Sequence, residues 1–157
     1  MNHSILASPE DFEFHDAVLT LLSWEGDCLT VRANYLNIHK NASPDRPDTD
    51  MELDETRLTF SGVDILEFEP SRTWERNENG ELFTKDPQIL YTGTDASDRF
   101  AAELRHTVRV IGLTGENGLY ELGAAGMDPY FSVRFRFSSL RAEFGGYLCP
   151  AWYENKS

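Results

Sequence analysis

The sequence predicts a mainly β chain: an antiparallel sandwich or a partly closed barrel of about eight strands, with at most one short helix. Three observations lead there. Apolar and polar residues alternate with a period of two along several stretches, as strands with one buried face require. Turn signals containing Gly or Asn separate those stretches at short intervals. The 157 residues also include 10 Phe, 6 Tyr and 3 Trp, enough bulky material for one core, so the chain reads as a single domain over residues 1–157.

The first hairpin runs from Phe14, Ala17, Leu19, Leu21 and Leu22 to Trp24, reverses at Glu25-Gly26-Asp27, and returns through Leu29, Val31 and Ala33 on one face. Residues 39–54 hold Pro44, Pro47 and several Asp with little apolar content, and read as a long acidic surface loop. Leu58, Phe60, Val63, Ile65, Leu66 and Phe68 form one strand or two, with Gly62 expected at a bulge where the alternation changes phase, and Pro70 closes the element. Asn79-Gly80 marks a tight turn that Trp74 and Phe83 anchor to the body.

Phe100, Ala102, Leu104, His106, Val108 and Val110 alternate with polar neighbours and read as one long strand. A helix over Asp98 to His106 is the competing reading, because Ala-Ala-Glu-Leu-Arg favours helix and Ser97 is a suitable cap. A turn at Gly115 to Gly118 joins Val108–Leu113 to Leu119, Tyr120 and Leu122 in a second hairpin. The clearest strand lies between Tyr130 and Phe137, with Phe131, Val133, Phe135 and Phe137 on one face and Ser132, Arg134, Arg136 and Ser138 on the other. Leu140, Ala142 and Phe144 continue the alternation, and Tyr147 to Tyr153 is a short final strand that Pro150 confines to an edge or a bulge.

The net charge of −13 is regional: residues 1–80 hold 17 acids against 6 bases, and the remainder 10 against 8. Such a surface repels phosphate backbones and anionic lipid, so neither nucleic acid nor membrane is an expected partner, whereas a basic protein is. Met1 to Glu10 lacks the basic start and apolar run of a secretory signal, and the chain reads as cytoplasmic. Cys28 and Cys149 match no metal or redox spacing and read as reduced core thiols.

Six carboxylates, Asp45, Asp48, Asp50, Glu52, Asp54 and Glu55, fall within eleven residues and are the candidate surface for a basic partner. Their every-second spacing matches a calcium loop only in part. Leu53 stands where the sharp turn needs Gly, and Thr59 where the bidentate Glu belongs, so no metal is assigned. His15 precedes Asp16, but adjacent strand residues face opposite ways, so a structural histidine bonded to backbone is the expectation; His106 is expected as a satisfied core histidine. No nucleophile elbow, phosphate loop or dinucleotide fingerprint is present, so no catalytic residue and no cofactor are assigned. Trp24, Trp74 and Trp152, with Arg134 and Arg136, are the candidate lining of a small-ligand or carbohydrate site, the alternative to protein binding; an uncharacterised hydrolase is a further alternative.

The segment Phe14-His15-Asp16-Ala17, followed by an apolar strand, a Gly-Asp turn and a second alternating strand, resembles the start of small bacterial all-β proteins, some of them immunity-like proteins of polymorphic toxin systems. The resemblance covers about the first 40 residues. It implies a compact acidic protein that binds and blocks a toxin domain, and assigns no catalytic residue. An exposed edge strand could also pair two copies across a two-fold axis.

Overall fold

Period-two alternation becomes pairing along most of the chain. In a computed structural model describing residues 2–155, the strands are β1 (His3–Ala7), β2 (Phe12–Glu13), β3 (Val18–Glu25), β4 (Cys28–Asn34), β5 (Asn37–Ile38), β6 (Met51–Leu53), β7 (Thr56–Ser61) and β8 (Asp64–Glu69), followed by β9 (Glu75–Arg76), β10 (Leu82–Phe83) and β11 (Tyr91–Thr92). One helix, α1 (Gly93–Arg105), precedes β12 (Val108–Glu116), β13 (Leu119–Ala125), β14 (Phe131–Arg136), β15 (Ser139–Phe144) and β16 (Tyr147–Pro150). Met1, Lys156 and Ser157, at the ends of the expected domain, lie outside the described residues.

The fold is mainly β, antiparallel and sandwich-like, as expected. Eight strands have six residues or more; the others are short pieces. Ten strands form one sheet in the order β1-β15-β7-β4-β3-β12-β13-β14-β8-β11, whose ends do not pair, so it is not a closed barrel. The sheet nevertheless curls on itself: Phe60 of β7 meets Phe135 of β14 edge-on at 6.4 Å between ring centroids, although four strands separate β7 from β14 in the sheet order.

Two side-by-side corners produce the curl. Chain segments β7 and β15 pair in one half of the sheet, β8 and β14 in the other. Gly62-Val63 carries β7 into β8, and Phe137-Ser138 carries β14 into β15, so the same two-stranded ribbon bends from one layer to the next. The Ser138 N–H and hydroxyl both donate to the Ser61 carbonyl, at 2.8 and 2.9 Å. Gly62 adopts φ +71°, a left-handed conformation, and a Cβ there would overlap the Ser138 hydroxyl. The phase change expected at a bulge is therefore a corner between layers.

Inside the curl lies one apolar core, with Leu29, Val31 and Ala33 of β4, and Phe131, Val133 and Phe135 of β14, buried as their alternation predicts. Helix α1 packs over β8 and β3. Here the expected long strand from Phe100 to Val110 is corrected: strand begins only at Val108. Ala96, Phe100, Ala101 and Leu104 are the buried apolar set of α1, a spacing that follows the 3.6-residue period, and the Ala, Leu, Glu and Arg content suits helix. Phe100 meets Trp24 and Phe131 edge-on. His106, expected in the core, is exposed at the helix C-cap, where Thr107 at φ +75° ends the helix. Cys149 is exposed on β16, not a core thiol, and both cysteines are free.

A second sheet, in the order β16-β6-β5-β2, stands at one end. The expected loop over 39–54 therefore stops at Asp50, and Met51–Leu53 is a central strand with Leu53 fully buried. The final strand, expected to reach Tyr153, is an edge strand that ends at Pro150 (Tyr147–Pro150), and a 3-10 turn, Trp152–Asn155, follows it.

Gly62→Ala should lower stability by at least about 1–2 kcal/mol, since left-handed backbone alone costs an L-residue that much and the methyl also displaces Ser138. Urea unfolding reads this directly; an unchanged midpoint would show that the corner tolerates ordinary backbone.

Candidate functional site

The end of the molecule built from the small sheet, the 39–50 loop and the C-terminal turn gathers most of the groups singled out in the sequence. Its organising residue is Asp50, buried to 9% exposure. Carboxyl Oδ2 accepts from the Tyr153 hydroxyl at 2.6 Å and from His39 Nδ1 at 2.7 Å, and Oδ1 accepts from the Lys40 N–H at 2.9 Å. The Asp50 N–H donates to Glu154 Oε1 at 3.2 Å, and the Asp50 carbonyl accepts from the Ala151 N–H at 2.8 Å. One residue thus ties the loop, β6 and the C-terminal turn together. A further tie joins the Ser43 and Tyr147 hydroxyls.

Burial acts to raise the Asp50 carboxyl, but the bonds from Tyr153, Lys40 and His39 outweigh it and hold the group below the usual carboxylate range. An ionised Asp50 requires the proton of the short bond on Nδ1 of the half-exposed His39 ring. For Tyr153, burial first, then donation to Asp50 and the charges of Asp50, Glu13 and Glu154, push the phenol far above its usual value. An Asp–His pair of this kind can orient a general base. No hydroxyl or thiol is bonded to His39 among the described residues, and the nearby Ser43 hydroxyl is buried and turned to Tyr147.

The six carboxylates of residues 45–55 do not converge. Asp45 is exposed beside His3 at 3.5 Å, and Glu55 beside Arg32 at 3.4 Å. Asp48 is exposed at an open cleft that it lines with Lys40, Asn41, Arg46 and Pro47. Asp50 is the buried tie, and Asp54 Oδ1 accepts from the Gly145 N–H at 2.9 Å. Glu52 lies half-buried on β6. Two of the six thus serve the fold.

Glu52 belongs instead to a row that the sequence concealed. Register places Glu13 of β2, Asn37 of β5, Glu52 of β6 and Cys149 of β16 opposite one another across four strands. The adjacent row, Phe12, Ile38 and Met51, faces the core, so the Glu13–Asn37–Glu52 row lies on the other side of the sheet. Asn37 is nevertheless 1% exposed, and its side-chain N and O have no hydrogen-bond partner among the described residues. Glu13, Asp48, Glu52 and Glu154 take part in no ion pair among the described residues.

The residues expected to line a ligand site lie in separate places. Trp24 packs on α1, Trp74 is exposed under the Arg72 guanidinium at 5.0 Å, and Trp152 stands beside Tyr153 and His15. Arg134 and Arg136 do share an open groove of about 810 Å³ with Tyr120 and Phe137, where Arg134 reaches Glu67 at 3.5 Å. Within the curled sheet the apolar void is about 30 Å³, room for about one water and far below the several hundred Å³ of small-molecule pockets. His15 Nδ1 bonds the Ile111 carbonyl at 2.7 Å, the backbone-bonded role expected. The opposite-faces expectation fails locally, because Asp16 at φ +70° lies in a turn and brings its carboxylate to 3.6 Å from His15 Nε2.

No family model, curated protein or solved structure matches the chain. No helix among the described residues is long and apolar enough to cross a membrane.

The lowered Asp50 carboxyl gives a signed prediction. A depressed folded value contributes stability that is present above the unfolded value near pH 4 and lost as pH falls through the folded one. Tyr153→Phe removes one charged hydrogen bond, with an expected loss of about 1.5–3 kcal/mol at neutral pH, and raises the Asp50 value toward normal, so the variant's deficit shrinks in acid. Urea unfolding from about pH 2 to 7 checks it; a deficit constant across that range contradicts the role given to Asp50.

Proposed function

We propose that this chain is a non-enzymatic binding module for a basic protein, of the immunity-like kind that its N-terminal resemblance implies. The observation that carries the reading is the unbalanced acidity of the small-sheet end. Asp45, Asp48 and Glu55 are exposed just before and after β6, the small sheet carries half-buried Glu13 and Glu52 on the side away from the core, and Glu154 bonds the Asp50 N–H. Of these six, only Asp45 and Glu55 stand in ion pairs among the described residues, one of them with a histidine.

Carboxylates in excess of the nearby cations make the potential of that end negative and speed encounter with a positively charged surface. The underlying framework is rigid, because Asp50 and Asp54 spend their oxygens on backbone N–H groups and neighbouring side chains. A docking surface fixed before contact loses little entropy on binding, which favours tight association. The site is therefore a division of labour between acids that build and acids that attract.

The test is capture of partners at low salt followed by association kinetics. Asp45→Asn, Asp48→Asn and Glu55→Gln together should slow association with the captured basic protein by about tenfold at low salt, with the difference closing near 1 M salt, where the screening length is about 3 Å. Unchanged rates at low salt, or capture of no basic protein, would overturn the reading.

A further inference from the structure

Asn37 stands between two carboxylates with its own amide unsatisfied, and the surroundings point to what would satisfy it. The β5 strand is only two residues long, yet both are buried: Ile38 toward the core and Asn37 toward the opposite side. A buried amide left without partners costs about 1–3 kcal/mol, and Leu or Val would fit a central strand at no such cost. On either side, in register, stand Glu13 and Glu52, two strand spacings or about 10 Å apart at the backbone. Both are half-buried and neither has a cationic partner among the described residues.

We propose that the Glu13–Asn37–Glu52 row is a recognition site for one arginine side chain of the basic partner, which enters by displacing the groups that seal the Asn37 amide. A guanidinium is planar, always charged and carries five N–H donors in a fixed fork. Laid between the two strands that flank β5, it directs donors to both carboxylates at once and to the Asn37 carbonyl oxygen beneath. An ammonium offers three donors from one point and does not span the same acceptors. A metal ion is a poorer occupant, since no three His, Cys, Asp or Glu side chains are grouped to hold one among the described residues.

The inference rests on the reading of this end as a surface for a basic partner, and it is tested separately from it. The full chain, labelled with ¹⁵N, is titrated at low salt with N-acetylarginine methylamide, with N-acetyllysine methylamide as the comparison. The expected result is a saturable shift of the Asn37 side-chain amide signals with the arginine probe, at least about tenfold weaker with the lysine probe. Glu13→Gln with Glu52→Gln should weaken arginine binding by about tenfold or more while leaving the rest of the spectrum in place. Asn37→Leu should weaken it too while raising thermal stability, a combination that a purely structural asparagine does not give.

Absence of a saturable shift at Asn37, equal response to both probes, or unaltered binding in the double glutamine variant would each overturn the arginine site. If the probe fails while partner association still responds to Asp45, Asp48 and Glu55, only that site is lost. If the probe binds at Asn37 and no basic protein is captured, the partner reading fails and the arginine site stands.

Discussion

The bent ribbon at Gly62 and Ser138 is the constraint on which the fold depends. An antiparallel sheet of ten strands that stayed open would leave its apolar face in water. Bending the β7–β15 pair into the β8–β14 pair brings that face onto itself, so Phe60 reaches Phe135 and Phe137. Only a residue without Cβ fits the inner turn beside Ser138, and the two donations from Ser138 to Ser61 fasten one corner to the other. With the bend in place, α1 needs only to cover the space over β8 and β3, which it does with Ala96, Phe100, Ala101 and Leu104.

At the small-sheet end, order comes from hydrogen bonding. Its strands are two to four residues long and too short to hold by pairing alone. Asp50 compensates by collecting bonds from residues far apart in sequence, and Tyr147 reaches Ser43 in the same way. A charged acceptor at the centre makes each of those bonds stronger than a neutral one would be. The result is a surface whose position is fixed by polar ties between its segments.

The large hairpins and the strand from Phe131 were legible because one face is buried and the other wet, which is the condition under which alternation speaks. Residues 100–106 misled because Phe100 and Leu104 sit four apart, a spacing compatible with both a strand face and a helix stripe; the deciding residue was Ala101, which is buried out of phase with that alternation. The acidic run drew attention to the correct end, but proximity in sequence concealed opposite duties for Asp48 and Asp50. Asn37 and Glu13 were invisible, because their neighbourhood arises from the register of two-residue strands, and nothing local in the sequence announces it.

That concealed row shows how a site departs from the rules that build a fold. Elsewhere local preference and packing agree: β-branched and aromatic side chains line the core, and Asp54 meets a backbone N–H. At Asn37 they disagree, with an amide in a position suited to an aliphatic side chain and a carboxylate in register on each side. Glu13 and Glu52 repel each other across the strand between them, which adds an electrostatic cost to that of the unpartnered amide. A single planar cation removes both penalties at once, since it neutralises the pair and supplies donors to the amide. Groups whose conflict a specific ligand resolves are the ones expected where recognition, and not folding, sets the side chain.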